Sequence, residues 1–180
     1  MLDAGIGFRT KTGRAIAVVL AGDPPRLIWR GEVKLLDDAY PYDEGPYHPF
    51  IEMPWSDALD GVRPIVAAIE KRAIVVLREI ADDVRSRKLR IRGVGVVGSP
   101  PRDIEKIGNR HMRAHAAEGI LFRRVLERAA KEIKLPCLAF SDRELVAPAI
   151  MKEIGREAGP PWRTDERLAA TAAWKALSSK

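Results

Sequence analysis

The chain has one cysteine, Cys137, in 180 residues. An internal disulfide is thereby excluded, and the lone thiol fits a reducing cytoplasm. It follows Pro136 in the apolar segment CLAF, the setting of a buried structural thiol rather than a nucleophile. Long hydrophobic runs are missing as well: nothing approaches the roughly 18 apolar residues of a membrane span. The opening MLDAGIGFRT has neither the charged lead nor the apolar core of a secretory signal. The expectation is a cytoplasmic protein without a membrane partner. Acids are outnumbered, 25 against 31 Lys and Arg, giving a net charge of +6 and a pI near 9.7. Such an excess permits an anionic partner, nucleic acid among them, but identifies none. No internal repeat, low-complexity stretch or composition break divides the chain, so residues 1–180 are expected to form a single domain.

What is present is a succession of short apolar strands and amphipathic helices. Gly5 to Leu20 reads as a strand, a turn at Thr10-Lys11-Thr12-Gly13 and a return strand. After Asp23-Pro24-Pro25, residues Leu27, Trp29, Val33 and Leu35 face one way, with Arg30, Glu32 and Lys34 among the opposite set. That is the period of a half-buried antiparallel strand. Residues 40–61 form an irregular insert with four prolines, two glycines, all three tyrosines, Phe50 and Trp55. Its rings either stack on bases or, more simply, fold back over a sheet face or helix end. Helical spacing runs from Val62 to Val84, with Glu70, Lys71, Arg78, Glu79, Asp82 and Asp83 on the outer side.

Ile91 to Val97 is almost wholly apolar, as in a strand buried on both faces. A proline-bearing loop and a helix to about Lys134 follow, with Phe122, Leu126, Ala129 and Ile133 on one stripe. CLAF makes a fifth strand. Ser141-Asp142-Arg143-Glu144 offers a capping box for a helix to about Ile154. After a loop at Gly155 to Pro161, Thr164 can cap a last, alanine-rich helix, with Asp165 and Glu166 at its positive end.

Two patterns suggest chemistry. Gly93 to Gly98 spells G-x-G-x-x-G, but its glycines lie within a strand rather than in a turn opening a helix. They are better read as sites of close helix packing. His111, His115 and Glu118, spaced by four and three, share one helix face. Histidines at i and i+4 can share a transition metal with a carboxylate, as in H-E-x-x-H sites. Met112 stands where that motif keeps its basic glutamate. The plainer alternative is a polar helix face whose histidines bond to loop backbone.

A three-strand meander followed by alternating helices and strands resembles the ribonuclease H-like fold, an α/β class with a central mixed five-stranded sheet flanked by helices. Gly5-Ile-Gly-Phe-Arg-Thr-Lys-Thr-Gly13 resembles the first strand and turn of RuvC-type Holliday-junction resolvases, G-I-D-P-G-x-x-x-T-G. Asp165-Glu-Arg-Leu-Ala-Ala-Thr-Ala-Ala173 is similar to their last helix, D-A-A-D-A-L-A-x-A. The resemblance implies a nuclease holding two Mg²⁺ or Mn²⁺ ions on carboxylates, nucleic acid as partner, and a homodimer. This chain departs from it at the acids. The family's first-strand aspartate falls on Gly7 and its second-strand glutamate on Val97 or Gly98. The last-helix pair falls on Asp165 and Leu168. One acid remains of four, too few for a two-metal centre.

The leading expectation is therefore a catalytically degenerate RuvC-like protein that binds nucleic acid or acts as a scaffold. The alternative is a divalent-metal endonuclease with relocated ligands, using Asp165 and Glu118. A third is a small-molecule phosphate- or nucleotide-binding protein. The expected nucleic-acid rim is Arg9, Lys11 and Arg14 at the first turn with Arg102, Lys106, Arg110 and Arg113 around the central loop, which the resemblance places at one sheet edge.

Overall fold

The computed structural model describes residues 1–37, 40 and 45–179. Residues 38–39 and 41–44, which carry part of the expected insert, and residue 180 lie outside the described residues. Strands β1 (Asp3–Lys11), β2 (Arg14–Ala21) and β3 (Arg26–Lys34) form an antiparallel meander. A 3-10 turn (His48–Phe50) and helix α1 (Trp55–Ser86) lead to β4 (Arg90–Val97), which pairs with β1 in parallel. Helix α2 (Arg110–Glu132) returns the chain to β5 (Cys137–Phe140), parallel to β4. Helices α3 (Ile150–Ala158) and α4 (Thr164–Ser178) complete it. The sheet order is β3-β2-β1-β4-β5, the α/β, ribonuclease H-like arrangement expected from the sequence.

Side chains alternate across a strand, and that alternation gives the sheet two different faces. Ala4, Ile6 and Phe8 of β1, with Val94 and Val96 of β4, point into a large core closed by α1 and α2. The opposite face of the same strands is made by glycine. A Cβ built at Gly7 would fall on the Ala169 carbonyl of α4 and lie 2.5 Å from the Ala173 nitrogen. At Gly95 it would meet the Ala172 carbonyl. Of the apparent dinucleotide fingerprint, Gly95 thus seats a helix, while Gly93 lies nearest the Pro136 carbonyl and Gly98 against Thr10 and Arg123; the alanines of α4 are its side of a backbone-to-backbone crossing.

Three local expectations are corrected. Helix α1 begins at Trp55, inside the expected irregular insert, despite Gly61 and Pro64. Gly61 is needed where it is: the Phe50 ring lies against the helix there, 2.6 Å from where a Cβ would be. Only half of the capping box after β5 forms: the Ser141 N–H and hydroxyl both donate to the Glu144 carboxylate at 2.7 Å, the Glu144 N–H goes to the Ser141 carbonyl, and only a turn follows. Pro148, unsuited to a helix interior, delays α3 to Ile150. Thr164 is the first residue of α4 rather than its cap; the Arg163 N–H donates instead to the Glu166 carboxylate at 2.9 Å. Among the described residues no helix is long and apolar enough to cross a membrane.

Candidate functional site

Along β1 and at the end of β4, the positions that the resemblance matches to carboxylates are taken up by packing. Gly7 is covered by α4. Val97 is fully buried beside Leu145 and Ala172, with Leu168 against the same cluster. The Val97 carbonyl accepts the buried Thr10 hydroxyl at 3.1 Å, and Gly98 sits against Thr10 and Arg123. Asp165, the one matching acid, is held by cations: Lys11 Nζ at 2.9 Å and Arg9 Nε at 3.5 Å. Arg9 is held in turn by Asp142 at 2.7 Å. Glu118 belongs to α2 on the opposite face of the sheet, so the structure does not bring it to Asp165.

The expected basic rim divides. The pairing of Arg9 with Val97 places the β1–β2 turn and the loop leaving β4 at one end of the sheet. Arg9, Lys11 and Arg14 gather there, the last 3.1 Å from Glu32. On the loop, Lys106 is 3.0 Å from Asp103. Arg102 lines a cavity of about 310 Å³ with Tyr47, Trp55 and Arg124. Arg110 and Arg113 turn instead toward the chain before α1. Arg110 meets Glu52 at 3.1 Å, and Arg113 donates to the Ile107 carbonyl while lying 5.7 Å over the Trp55 ring. The rim is interleaved with acids rather than uniformly positive.

A second constellation forms between α2 and the 3-10 turn. The chain has three histidines, and all of them meet. Rings of His48, His111 and His115 stand edge to face with centroids 4.5 to 5.0 Å apart. One ring nitrogen from each lies within 4.8 Å of the others. His111 and His115 come from consecutive turns of α2, whose start is fixed by Asn109 accepting the Met112 N–H at 2.9 Å. His48 comes from the insert, which is folded back: Tyr47 is buried and stacks on Trp55 at 5.6 Å.

Glu118 lies beneath them, fully buried. Its Oε1 accepts from the Tyr47 N–H at 3.2 Å and faces His48 Nδ1 at 2.8 Å. Its Oε2 has no hydrogen-bond partner among the described residues and is 3.8 Å from His115 Nδ1. Burial pushes the Glu118 carboxyl above the usual carboxylate range, while His48 pulls it back. Gly45, at φ +109°, allows the chain to pass over that carboxylate, 2.5 Å from where its Cβ would be. Glu118 thus stands behind the histidines rather than beside them. His48 escaped the sequence reading because its distance along the chain hides its partners. The usable signal was Glu118 itself, an acid four residues before Phe122 on a buried stripe.

No protein-family model matches the chain, and no curated protein matches it. Solved structures do. The chain is similar to Thermus thermophilus RuvC in complex with a Holliday junction substrate, with a TM-score of 0.53 and 16% identity. That match covers 95% of this chain and 90% of the other. A second T. thermophilus RuvC structure matches at TM-score 0.46 and 14% identity, covering 94% and 90%. A T. thermophilus ROK hexokinase matches at 0.38 and 17%, covering 83% and 38%. The first of these, at 16% identity, shows the fold alone: a ribonuclease H-like arrangement similar to that of RuvC.

Proposed function

We propose that this chain binds nucleic acid on a RuvC-like scaffold and does not cut it by the two-metal carboxylate route. The observation that carries the second half is Gly7. Where the resolvases would place their first aspartate, α4 lies directly on the β1 backbone, leaving no volume for a carboxylate or an ion. The remaining matching acid, Asp165, is occupied by Lys11 and Arg9. Binding is supported by the fold match over 95% of the chain to a protein described with a Holliday junction substrate. The cations gathered at the end of β1 and on the following loop give it a surface. Exposed ion pairs such as Arg14–Glu32 and Lys106–Asp103 contribute only about 0–1 kcal/mol, so phosphates can replace their acids.

Fluorescence anisotropy with a labelled four-way junction, titrated at several salt concentrations, tests the reading. Affinity falling steeply with salt, with a slope reduced by about 1 in Lys11→Ala or Arg102→Ala, is the expected result. Absence of binding at low salt, or binding insensitive to those changes, removes nucleic acid as the ligand. A free nucleotide that raises the melting temperature would then favour a small-ligand role.

A further inference from the structure

We infer that His48, His111 and His115 form a binding site for a transition-metal ion of the zinc type, with Glu118 positioning His48 from behind. The argument starts with His48. Its side chain is only 3% exposed, and its Nδ1 faces the Glu118 carboxylate at 2.8 Å. Donation of the Nδ1 proton to that carboxylate fixes the tautomer and leaves Nε2 as a bare acceptor. That Nε2 is buried and has no hydrogen-bond partner among the described residues. A buried lone pair without a donor is costly, and the ring nitrogens gathered near it are those of two more histidines. His111 and His115 bring their Nε2 atoms to 3.0 Å of each other. With one nitrogen from each ring converging, a proton on any one of them bridges to one neighbour and leaves the third without a donor. One cation among them satisfies all three.

The charges agree. Glu118 is a fully buried carboxylate whose contacts are a backbone N–H, His48 and, more distantly, His115. Burying a charge without a counter-charge is strongly unfavourable, and a divalent ion held by the histidines supplies one. A carboxylate holding the far nitrogen of a metal-binding histidine is a recurrent support for such ligands. Here the two carboxylate oxygens lie toward two of the three histidines. Imidazole selects zinc, copper, nickel or cobalt over magnesium and calcium, which prefer oxygen. Three histidines leave one coordination position free in a tetrahedral site. Since His111 and His115 are exposed while His48 is buried, that position would be open to solvent. The ion would tie the insert to α2, on the sheet face opposite Asp165, and its presence does not depend on nucleic-acid binding.

The test uses the full chain, stripped with a chelator and titrated with Zn²⁺ against a competing dye, with Co²⁺ as a spectroscopic substitute. One zinc per chain and the visible bands of four-coordinate cobalt are expected. Glu118→Gln should weaken zinc about 10- to 100-fold with unchanged stoichiometry. His111→Ala and His115→Ala, both exposed positions, should weaken it further while the metal-free chain melts as before. His48→Ala should reduce binding to the level of an isolated helical histidine pair. Failure to bind zinc overturns the inference. So does zinc affinity that survives His48→Ala unchanged, which would leave only a surface pair. Should His48→Ala not fold, Glu118→Gln decides: unchanged affinity in that variant overturns the inference.

Discussion

Replacing Gly7 by alanine adds one methyl group to the middle of β1. In most strands that exchange is neutral or favourable, because glycine loses more chain entropy on folding. Here the new carbon would fall on the Ala169 carbonyl, 2.5 Å from the Ala173 nitrogen and 2.9 Å from the Ala173 Cβ. Two of these are backbone atoms of a helix that also packs on β2 and β4, so no side chain can swing away. The helix must lift, loosening the contacts of Ala169, Ala170 and Ala173 with Val18 and Leu20. Overpacking of this kind costs roughly 1–3 kcal/mol. For a domain of this size that corresponds to a melting temperature lower by about 2–12 °C. Gly7→Asp should lose more, since an unpaired carboxylate is forced into the same interface, and it should not gain Mg²⁺-dependent cleavage. Differential scanning fluorimetry measures both. A Gly7→Ala variant as stable as the parent would refute the reasoning, because α4 could then not be seated on the strand as described.

Three further outcomes follow from the same geometry. Asp165→Asn should lower stability by about 1 kcal/mol, through the half-exposed Lys11 pair and the helix N-terminus, and should leave nucleic-acid affinity unchanged or higher; denaturant melts and anisotropy check it. Zinc at 1,000 times its dissociation constant should stabilise the chain by about 4 kcal/mol, seen as a higher melting temperature that Glu118→Gln diminishes. Burial pushes the Cys137 thiol up to about 12, so its alkylation at pH 8 should be about 1,000-fold slower than that of a free thiol. The folded chain then keeps a proton that the unfolded chain releases near 9, so this group's contribution to stability falls as pH rises from about 9 to 12. Iodoacetamide labelling followed by mass spectrometry measures the rate.

The strands and the inner helix stripes were legible because their apolar periods are regular. Trp29, Val33 and Leu35 reach the large core as their alternation indicates, and Phe122, Leu126 and Ala129 recur at helical spacing and are buried there; Leu27, expected on the same face, is turned to the opposite one by a bulge at Ile28. The role of the glycines was legible in kind but not in place. Nothing in the string G-I-G-F states that Ala169 and Ala173 will lie on Gly7, since that contact is set by how α4 returns across the sheet. Local signals failed where tertiary packing outweighed them. Gly61 read as a loop residue, yet α1 starts at Trp55 and continues through it, with the Phe50 ring packed against the helix there. The histidine cluster was half visible. His111 and His115 declare themselves by spacing on one helix, whereas His48 reaches them only after the insert folds back over Glu118.

The most direct test of the central claim is a native gel of labelled four-way junction incubated with the chain and Mn²⁺, followed by a denaturing gel of the same samples. A salt-sensitive shift with every strand intact is the predicted result. Manganese-dependent cuts that disappear in Asp165→Asn would contradict it, and would mean that a working carboxylate centre exists despite Gly7.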